Sequence, residues 1–362
     1  MSHLYGLILA GGRGTRFWPR SRRSLAKQVL NFFGDRTLIQ QTVDRLKPLL
    51  PPERMWVLTN HHLRSEIVKQ LPEVPQRQIL AEPAQRNTAP AIGLAAQILS
   101  TIDPDAVMGV FPADHVILKN RDYVRLLRPA FRAASEGKIV VIGIKPRWAE
   151  TGYGYVEFDA REFATRADGR ASAPSNVTSF REKPDLKTAE AFVAAGNFYW
   201  NAGMFFWKAS VLLENLRHFQ PKTATLLASL PPIASRQFAP KLEATFPLCE
   251  NISIDYAVLE RAKNVVGIPA GDIGWSDVGS WNAVYELRKR DAQGNVLGSP
   301  SMVEASTGNY VEAGKKLVAL LGVKDLIVVD TPDALLIADR SRAQAVGDLV
   351  KRLEKAGHHH LL

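Results

Sequence analysis

A single cysteine in 362 residues, Cys249, leaves no room for an internal disulfide framework. Such usage suits a reducing cytoplasm. Nothing in the sequence pairs that thiol with a base, so it reads as a buried or incidental sulfur, not a nucleophile. No apolar run approaches the ~18 residues of a membrane span. The opening MSHLYGLILAGGRG has no basic n-region and runs straight into an apolar strand, so it is not expected to be a signal peptide. Acidic residues are also missing at the start: none precedes Asp35, yet Arg13, Arg16, Arg20, Arg22, Arg23 and Lys27 fall within one short stretch. The net charge of +10 raises the question of nucleic acid. No helix-turn-helix, zinc-finger or aromatic RNP-like pattern accompanies it. Positive charge gathered beside glycines fits a small polyanion better, with neither nucleic acid nor a membrane as partner.

The first 145 residues alternate strand and helix. Tyr5–Ala10, Met55–Thr59, a run beginning over Gln78–Ala81, Ala106–Phe111 and Ile139–Ile144 are short apolar runs. Between them, apolar residues recur at helical spacing after Thr37 and over His61–Gln70, Ala89–Leu99 and Tyr123–Ala134. This order predicts a doubly wound α/β sheet of Rossmann-like type. Ligands of such sheets bind beyond the carboxyl ends of the strands. From about 150 to 285 the pattern is less regular, with Gly/Tyr, Lys-Pro and Asn-Ala-Gly loops. After Gln293-Gly294-Asn295 come short strands, Leu317–Leu321, Leu326–Val329 and Ala334–Ala338, and then a helix with Ala343, Val346, Leu349, Val350 and Leu353 on one face. The expected division is a catalytic domain over 1–290 and a small β-rich, β-helix-like domain over 291–362. His358–His360 is expected to be a disordered tail.

Gly11, Gly12 and Gly14 follow the first strand directly, where glycine lets phosphate oxygens approach backbone N–H groups. A Walker A loop is excluded, because Lys27 is followed by Gln28 and not preceded by glycine. A dinucleotide loop is excluded as well, because Gly12-Arg13-Gly14 leads into Thr15, Arg16 and Phe17. Arg16 and Lys27 are suited to the β/γ-phosphates and a leaving pyrophosphate. Asp114 ends the fourth strand, and Asp277 lies in a glycine-flanked turn, GWSDVG. Mg²⁺ beside phosphates takes one or two carboxylates, although an aspartate in a turn also serves as a cap or stays solvated.

Seven blocks occur in order: LAGGRGTRFWPRSRRSLAKQ (Leu9–Gln28), EPAQRNTAPAI, FPADHVI, FREKP, WNAGMFFW, SIDYAVLE and GWSDVGSW. Together they resemble the mannose-1-phosphate guanylyltransferases, over about residues 4 to 350. The resemblance implies transfer of GMP from GTP to mannose 1-phosphate with Mg²⁺, in a cytoplasmic homodimer. It implies that Leu9, Ala10, Gly11, Gly12, Gly14, Thr15 and Arg16 cradle the triphosphate, with Lys27 near the reacting phosphorus. Glu82, Arg86, Asn87 and Thr88 would form the guanine pocket, and Asp114 and Asp277 would hold the metal. Tyr153, Gly154, Glu182, Lys183, Asn201 and Gly203 would receive the sugar phosphate. The catalytic set so implied is Arg16, Lys27, Asp114 and Asp277.

Two positions depart from the family pattern. Ala26 stands where proline is usual, which should loosen the arm, and Arg181 adds a charge beside Glu182. Longer relatives add a cupin-type isomerase domain, which this chain lacks the length for, so one activity is expected. Three alternatives remain: a nucleotidyltransferase for another sugar 1-phosphate such as a heptose, or for another nucleotide; a non-catalytic regulatory paralogue binding a nucleotide sugar; and a nucleic-acid binder suggested by charge alone.

Overall fold

A computed structural model describes residues 3–159 and 173–362. Its centre is a nine-stranded sheet. The strands are β1 (Leu4–Leu9), β2 (Met55–Asn60), β3 (Ile79–Glu82), β4 (Val107–Pro112), β6 (Ile139–Ile144), β7 (Tyr155–Phe158), β8 (Ser175–Arg181), β9 (Phe198–Lys208) and β10 (Val265–Ala270). Their order across the sheet is β3-β2-β1-β4-β9-β6-β10-β8-β7. Two short strands, β5 (Val116–Ile117) and β11 (Trp275–Ser276), pair outside it.

β1 to β4 are mutually parallel where they pair, so both faces must be covered by helices. Consecutive side chains of a strand point to opposite faces, and both faces here are apolar. Ile8 packs into one core with Ile39 and Val43 of helix α1 (Leu38–Leu46), Leu63 of α2 (His61–Gln70) and Leu127 of α4 (Asn120–Ser135). Leu7 packs into the other core with Ile92 and Ala95 of α3 (Thr88–Ile102). Thr37 caps α1 with a full capping box completed by Gln40. β3 begins at Ile79, one residue later than expected, so Glu82 closes the strand opposite Asn60.

The Asn-Ala-Gly segment is not a loop. Asn201, Ala202 and Gly203 lie inside the eleven-residue β9, which runs antiparallel to both β4 and β6 and makes the sheet mixed. Strand periodicity is hidden in this segment because both faces of β9 are buried under apolar residues. The register shifts where β9 passes Val141 and Gly143, and Gly203 has φ 67°, a left-handed conformation that glycine accepts without strain.

Beyond Asn295 the chain coils. Val296, Tyr310 and Ile327 stack in parallel register, and the Asn309 N–H and Nδ2 both donate to Asn295 Oδ1 while its own Oδ1 accepts from Leu326 N–H. The last strands run over Val318–Leu321, Leu326–Asp330 and Leu335–Asp339, followed by a helix over Val346–Lys355. The expectation of a loose tail is corrected: His359–Leu361 form a 3₁₀ turn, and the Leu361 carbonyl accepts from Trp18 Nε1 at 3.0 Å. Leu362 packs against the Phe17–Trp18 cluster, which gives the terminus an apolar anchor.

This coil grips the basic arm. Phe17 and Phe32 pack edge-on against Trp281, whose Nε1 donates to the Trp18 carbonyl. Arg20 pairs with Glu312 at 2.6 Å, Arg22 with Asp333 at 2.8 Å and Arg23 with Glu354 at 2.6 Å. Half of the arm's six cations are therefore neutralised by acidic residues some 300 positions downstream.

Candidate active site

Strand β1 delivers the chain to Ala10, whose carbonyl accepts from Gln28 Nε2 (2.7 Å) and Thr59 Oγ1 (3.0 Å). Gln28, almost wholly buried, also donates to the Gly12 carbonyl at 3.0 Å and so pins both sides of the glycine turn. The sequence reading gave Gln28 no role; only its place beside Lys27 signalled it. Gly14 sits at φ 61°, and a Cβ there would lie 2.5 Å from Lys27 Cβ and 2.8 Å from Lys27 N. The turn and the returning arm are thus in backbone contact. Ala26 is 1% exposed and extended at φ −73°, so the missing proline leaves a well-packed arm.

That contact fixes Lys27. The residue is 6% exposed, and its ammonium donates to Asp114 Oδ2 at 2.8 Å and to the Asp277 carbonyl at 2.5 Å. The two aspartates meet because β11 pairs antiparallel with β5, setting Ser276 opposite Val116. The turn after β11 is held tightly: Val278 is fully buried at φ 47°, a rare conformation for a β-branched residue, and its N–H binds Ser276 Oγ. Asp277 Oδ1 accepts from Tyr153 Oη at 2.5 Å. Burial pushes the Asp114 carboxyl upward, but the electrostatic pull of Lys27 and His115 and the hydrogen bonds it accepts together outweigh burial and hold the group below its ordinary value. His115 is pushed down by burial, which suits a neutral ring accepting from Trp275 Nε1 on Nδ1.

Beside this cluster opens a cavity of about 580 Å³, lined by Leu9 to Arg13 from the phosphate loop, by Asn60 to Leu63, and by Glu82 to Gln85, Asn87 and Thr88. Its size suits a nucleotide. The N-terminus of α3 opens into it, with Asn87 at φ 64° accepting Thr88 N–H; such a terminus favours an anion. The Glu82 carboxyl faces Gly11, and burial pushes its pKa up to about 8.

Three residues expected here lie elsewhere. Arg86 Nε donates to the Pro247 carbonyl at 2.7 Å, which holds the guanidinium on the adjoining loop. Thr15 and Arg16 pack against Gly347 of the C-terminal helix, each side chain 3.5 Å from where a Cβ on that glycine would stand. Arg13 and Arg23 line the cavity in their place, and His61 and His62 join them.

Linked to Asp277 through the Tyr153 hydroxyl, the sugar-side residues expected from the sequence come together. A Cβ on Gly154 would collide with Glu182 Oε2 and would lie 3.4 Å from Asn201 Cβ. Lys183, at φ 46°, bonds Glu182 Oε1 at 2.6 Å. Gly203 N–H donates to Asn201 Oδ1 at 3.0 Å, and a Cβ on Gly203 would stand 3.8 Å from His115. The Tyr153 ring lies edge-on to Trp200 and Trp275. Two further acids belong to the cluster: Glu260 Oε1 accepts Glu182 N–H (3.1 Å), and Asp255 Oδ1 accepts Asn201 Nδ2 (3.0 Å). Arg181, by contrast, is exposed.

Comparison with known proteins agrees with this architecture. The nucleotidyl transferase family model matches residues 5–294, and the MannoseP isomerase/GMP-like beta-helix domain matches residues 302–353. A mannose-1-phosphate guanylyltransferase of Escherichia coli K12 is 39% identical over 99% of this chain and 75% of its own length. The alginate biosynthesis protein AlgA of Pseudomonas aeruginosa is 39% identical over 97% of this chain and 72% of its own. A crystal structure from Thermus thermophilus, described as a mannose-1-phosphate geranyltransferase, superposes with a TM-score of 0.84 at 32% identity, covering 97% of this chain and 99% of that one. This chain therefore belongs to the nucleotidyl transferase family and, within it, to the mannose-1-phosphate guanylyltransferases.

Proposed function

We propose that the protein transfers GMP from GTP to mannose 1-phosphate, releasing pyrophosphate. One observation carries the reading: Lys27 bonds both Asp114, which lines the nucleotide-sized cavity, and Asp277, whose carboxylate bonds Tyr153 next to the Gly154–Glu182–Asn201 cluster. A sugar phosphate oxygen attacks the α-phosphorus, and the bond to the β-phosphate oxygen breaks. The attacking phosphate is already anionic at neutral pH, so no strong base is needed, and catalysis rests on positioning and charge. The phosphate loop and the N-terminus of α3 hold the triphosphate, Lys27 offsets charge near the reacting centre, and Lys183 receives the sugar phosphate. Asp114 and Asp277 are the right donors for Mg²⁺, a hard cation that takes one or two carboxylates and completes its shell with phosphate oxygens and water. When bound, it supplies charge stabilisation to the α-phosphate and the leaving group.

The test is a matrix of nucleoside triphosphates against sugar 1-phosphates with Mg²⁺, followed by pyrophosphate release. Signal with GTP and mannose 1-phosphate alone is the expected result. Silence throughout would mean a regulatory nucleotide-sugar binder. Lys183→Ala should raise KM for the sugar phosphate about tenfold or more and leave KM for GTP nearly unchanged, since a charge-assisted bond is worth ~1.5–3 kcal/mol. Equal KM values in variant and wild type would remove Lys183 from the site.

Glu82 is the proposed guanine reader, its carboxylate accepting N1–H and N2–H₂. With its pKa raised to about 8, the free enzyme carries it mostly protonated at pH 7, and only the ionised form accepts both donors. KM for GTP should therefore fall as pH rises from 6.5 to 8, by about fivefold over the last unit. Glu82→Gln should flatten that slope and narrow the preference over ATP. An unchanged slope in the variant would detach guanine recognition from Glu82.

Assembly as a homodimer in the cytoplasm is part of the proposal, as is a boundary near residue 290. Met302, Leu321, Leu335 and Ile337 on the C-terminal strands, and Leu317 just before one of them, are mostly exposed, apolar surface suited to a second copy. A monomer mass at micromolar concentration by light scattering would oppose it. No helix among the described residues is long and apolar enough to cross a membrane.

A further inference from the structure

Asp255 was not singled out in the sequence, yet it stands at the junction of the two substrate regions. The segment before it is bolted to the nucleotide side: Ala89 N–H donates to the Ile252 carbonyl (3.1 Å) and Ile254 N–H to Thr88 Oγ1 (2.8 Å), while Thr88 lines the cavity. The residue itself opens a π-helical turn, Asp255–Leu259, a rare wide-turn geometry frequent at functional sites. Its Oδ1 then reaches across to Asn201 on β9, whose own Oδ1 is held by Gly203 N–H. Three carboxyl groups, Glu182, Glu260 and Asp255, consequently share one cluster with the Lys183 ammonium, which is bonded to Glu182.

We infer that Asp255 is a sugar-recognition residue, its carboxyl bonding one ring hydroxyl of the sugar 1-phosphate while Asn201 sets its orientation. The inference rests on the sugar nucleotidyltransferase reading and names a contact that reading does not contain. The chemistry suits a hydroxyl. A carboxyl has about four lone-pair positions, more than Asn201 and Ser253 use, so it can still accept a hydroxyl proton. Burial and the Glu182 charge push its pKa up to about 7, so near neutrality a share of the molecules also carries an O–H that can donate to the same hydroxyl oxygen. No such group would be needed merely to hold the fold: the backbone bonds to Thr88 and Ala89 already anchor the segment.

A substrate–enzyme cycle tests it. Wild type, Asp255→Asn and Asp255→Ala are assayed with GTP against mannose 1-phosphate and its 2-, 3-, 4- and 6-deoxy analogues, and with 2′-deoxy- and 3′-deoxy-GTP. Thermal melting reports folding of each variant. Asp255→Ala is expected to raise KM for mannose 1-phosphate about 30-fold, with KM for GTP changing less than about twofold. Against one deoxy sugar that penalty should vanish, because the partner hydroxyl is already gone, and Asp255→Asn should recover part of the loss. A penalty equal against every deoxy sugar overturns the inference. So does one that vanishes with a deoxy-GTP instead, which marks a ribose contact. Wild type inactive with mannose 1-phosphate would sink the substrate reading instead; the same cycle on the deoxy forms of whichever sugar 1-phosphate is accepted then decides Asp255 separately.

Discussion

Asp277→Ala is expected to lower kcat by about 10³-fold or more, with melting temperature within a few degrees of wild type. The asymmetry between activity and stability follows from how the residue is held. Its carbonyl, which the substitution keeps, is the atom that receives Lys27, whereas its carboxylate touches only Tyr153 among the hydrogen bonds of the described residues. Losing the carboxylate removes a metal donor and leaves the lysine clamp intact. Asp114→Ala should be as damaging to turnover but is the poorer diagnostic. It strands the buried Lys27 ammonium, and breaking a buried pair commonly costs ~3–5 kcal/mol. Running both variants across a Mg²⁺ titration separates the effects. Near-wild-type turnover of Asp277→Ala at limiting Mg²⁺ would show that the metal is held elsewhere.

Gly14→Ala is expected to destabilise the protein by ~2–5 kcal/mol and to lower kcat/KM about 100-fold. The left-handed backbone accounts for ~1–2 kcal/mol of this, and forced overpacking for ~1–3 more. The overpacking is directed: the new methyl would meet Lys27 Cβ and N within 2.8 Å, so relief must come by moving the lysine off Asp114 and Asp277. A displacement of about 1 Å in a positioning group is enough for a loss of that size. Gly34→Ala provides the control, since Gly34 has φ 82° with nothing within 4 Å of its Cβ position. It should show the backbone strain without the kinetic loss. If the two variants behave alike in kcat/KM, the packing of Gly14 on Lys27 plays no part in catalysis.

The fate of the basic arm shows where reading the sequence stops. Six cations without a nearby acid suggested a polyanion, and Lys27 does reach the two aspartates beside the nucleotide cavity. Yet Arg20, Arg22 and Arg23 are spent on Glu312, Asp333 and Glu354, and Arg16 rests against the C-terminal helix. Charge clustering is visible along the chain; which charges find partners 300 residues away is not. β9 makes the same point for structure. Its apolar residues on both faces erase the period-two signal, so a central strand read as a loop until its neighbours were in place.

From sequence alone came the alternation that builds the parallel half of the sheet, the glycine turn at the end of β1, and the candidate aspartates at a strand end and in a turn. These are local properties, written in periodicity and in residue types with special backbone freedom. Tertiary structure alone decided that β5 and β11 pair to bring Asp114 and Asp277 together, that Gln28 pins the glycine turn, and that Asp255 joins Asn201. Each of these depends on a hydrogen bond or a packing contact between distant segments, and the energy that selects it exists only once the chain has folded.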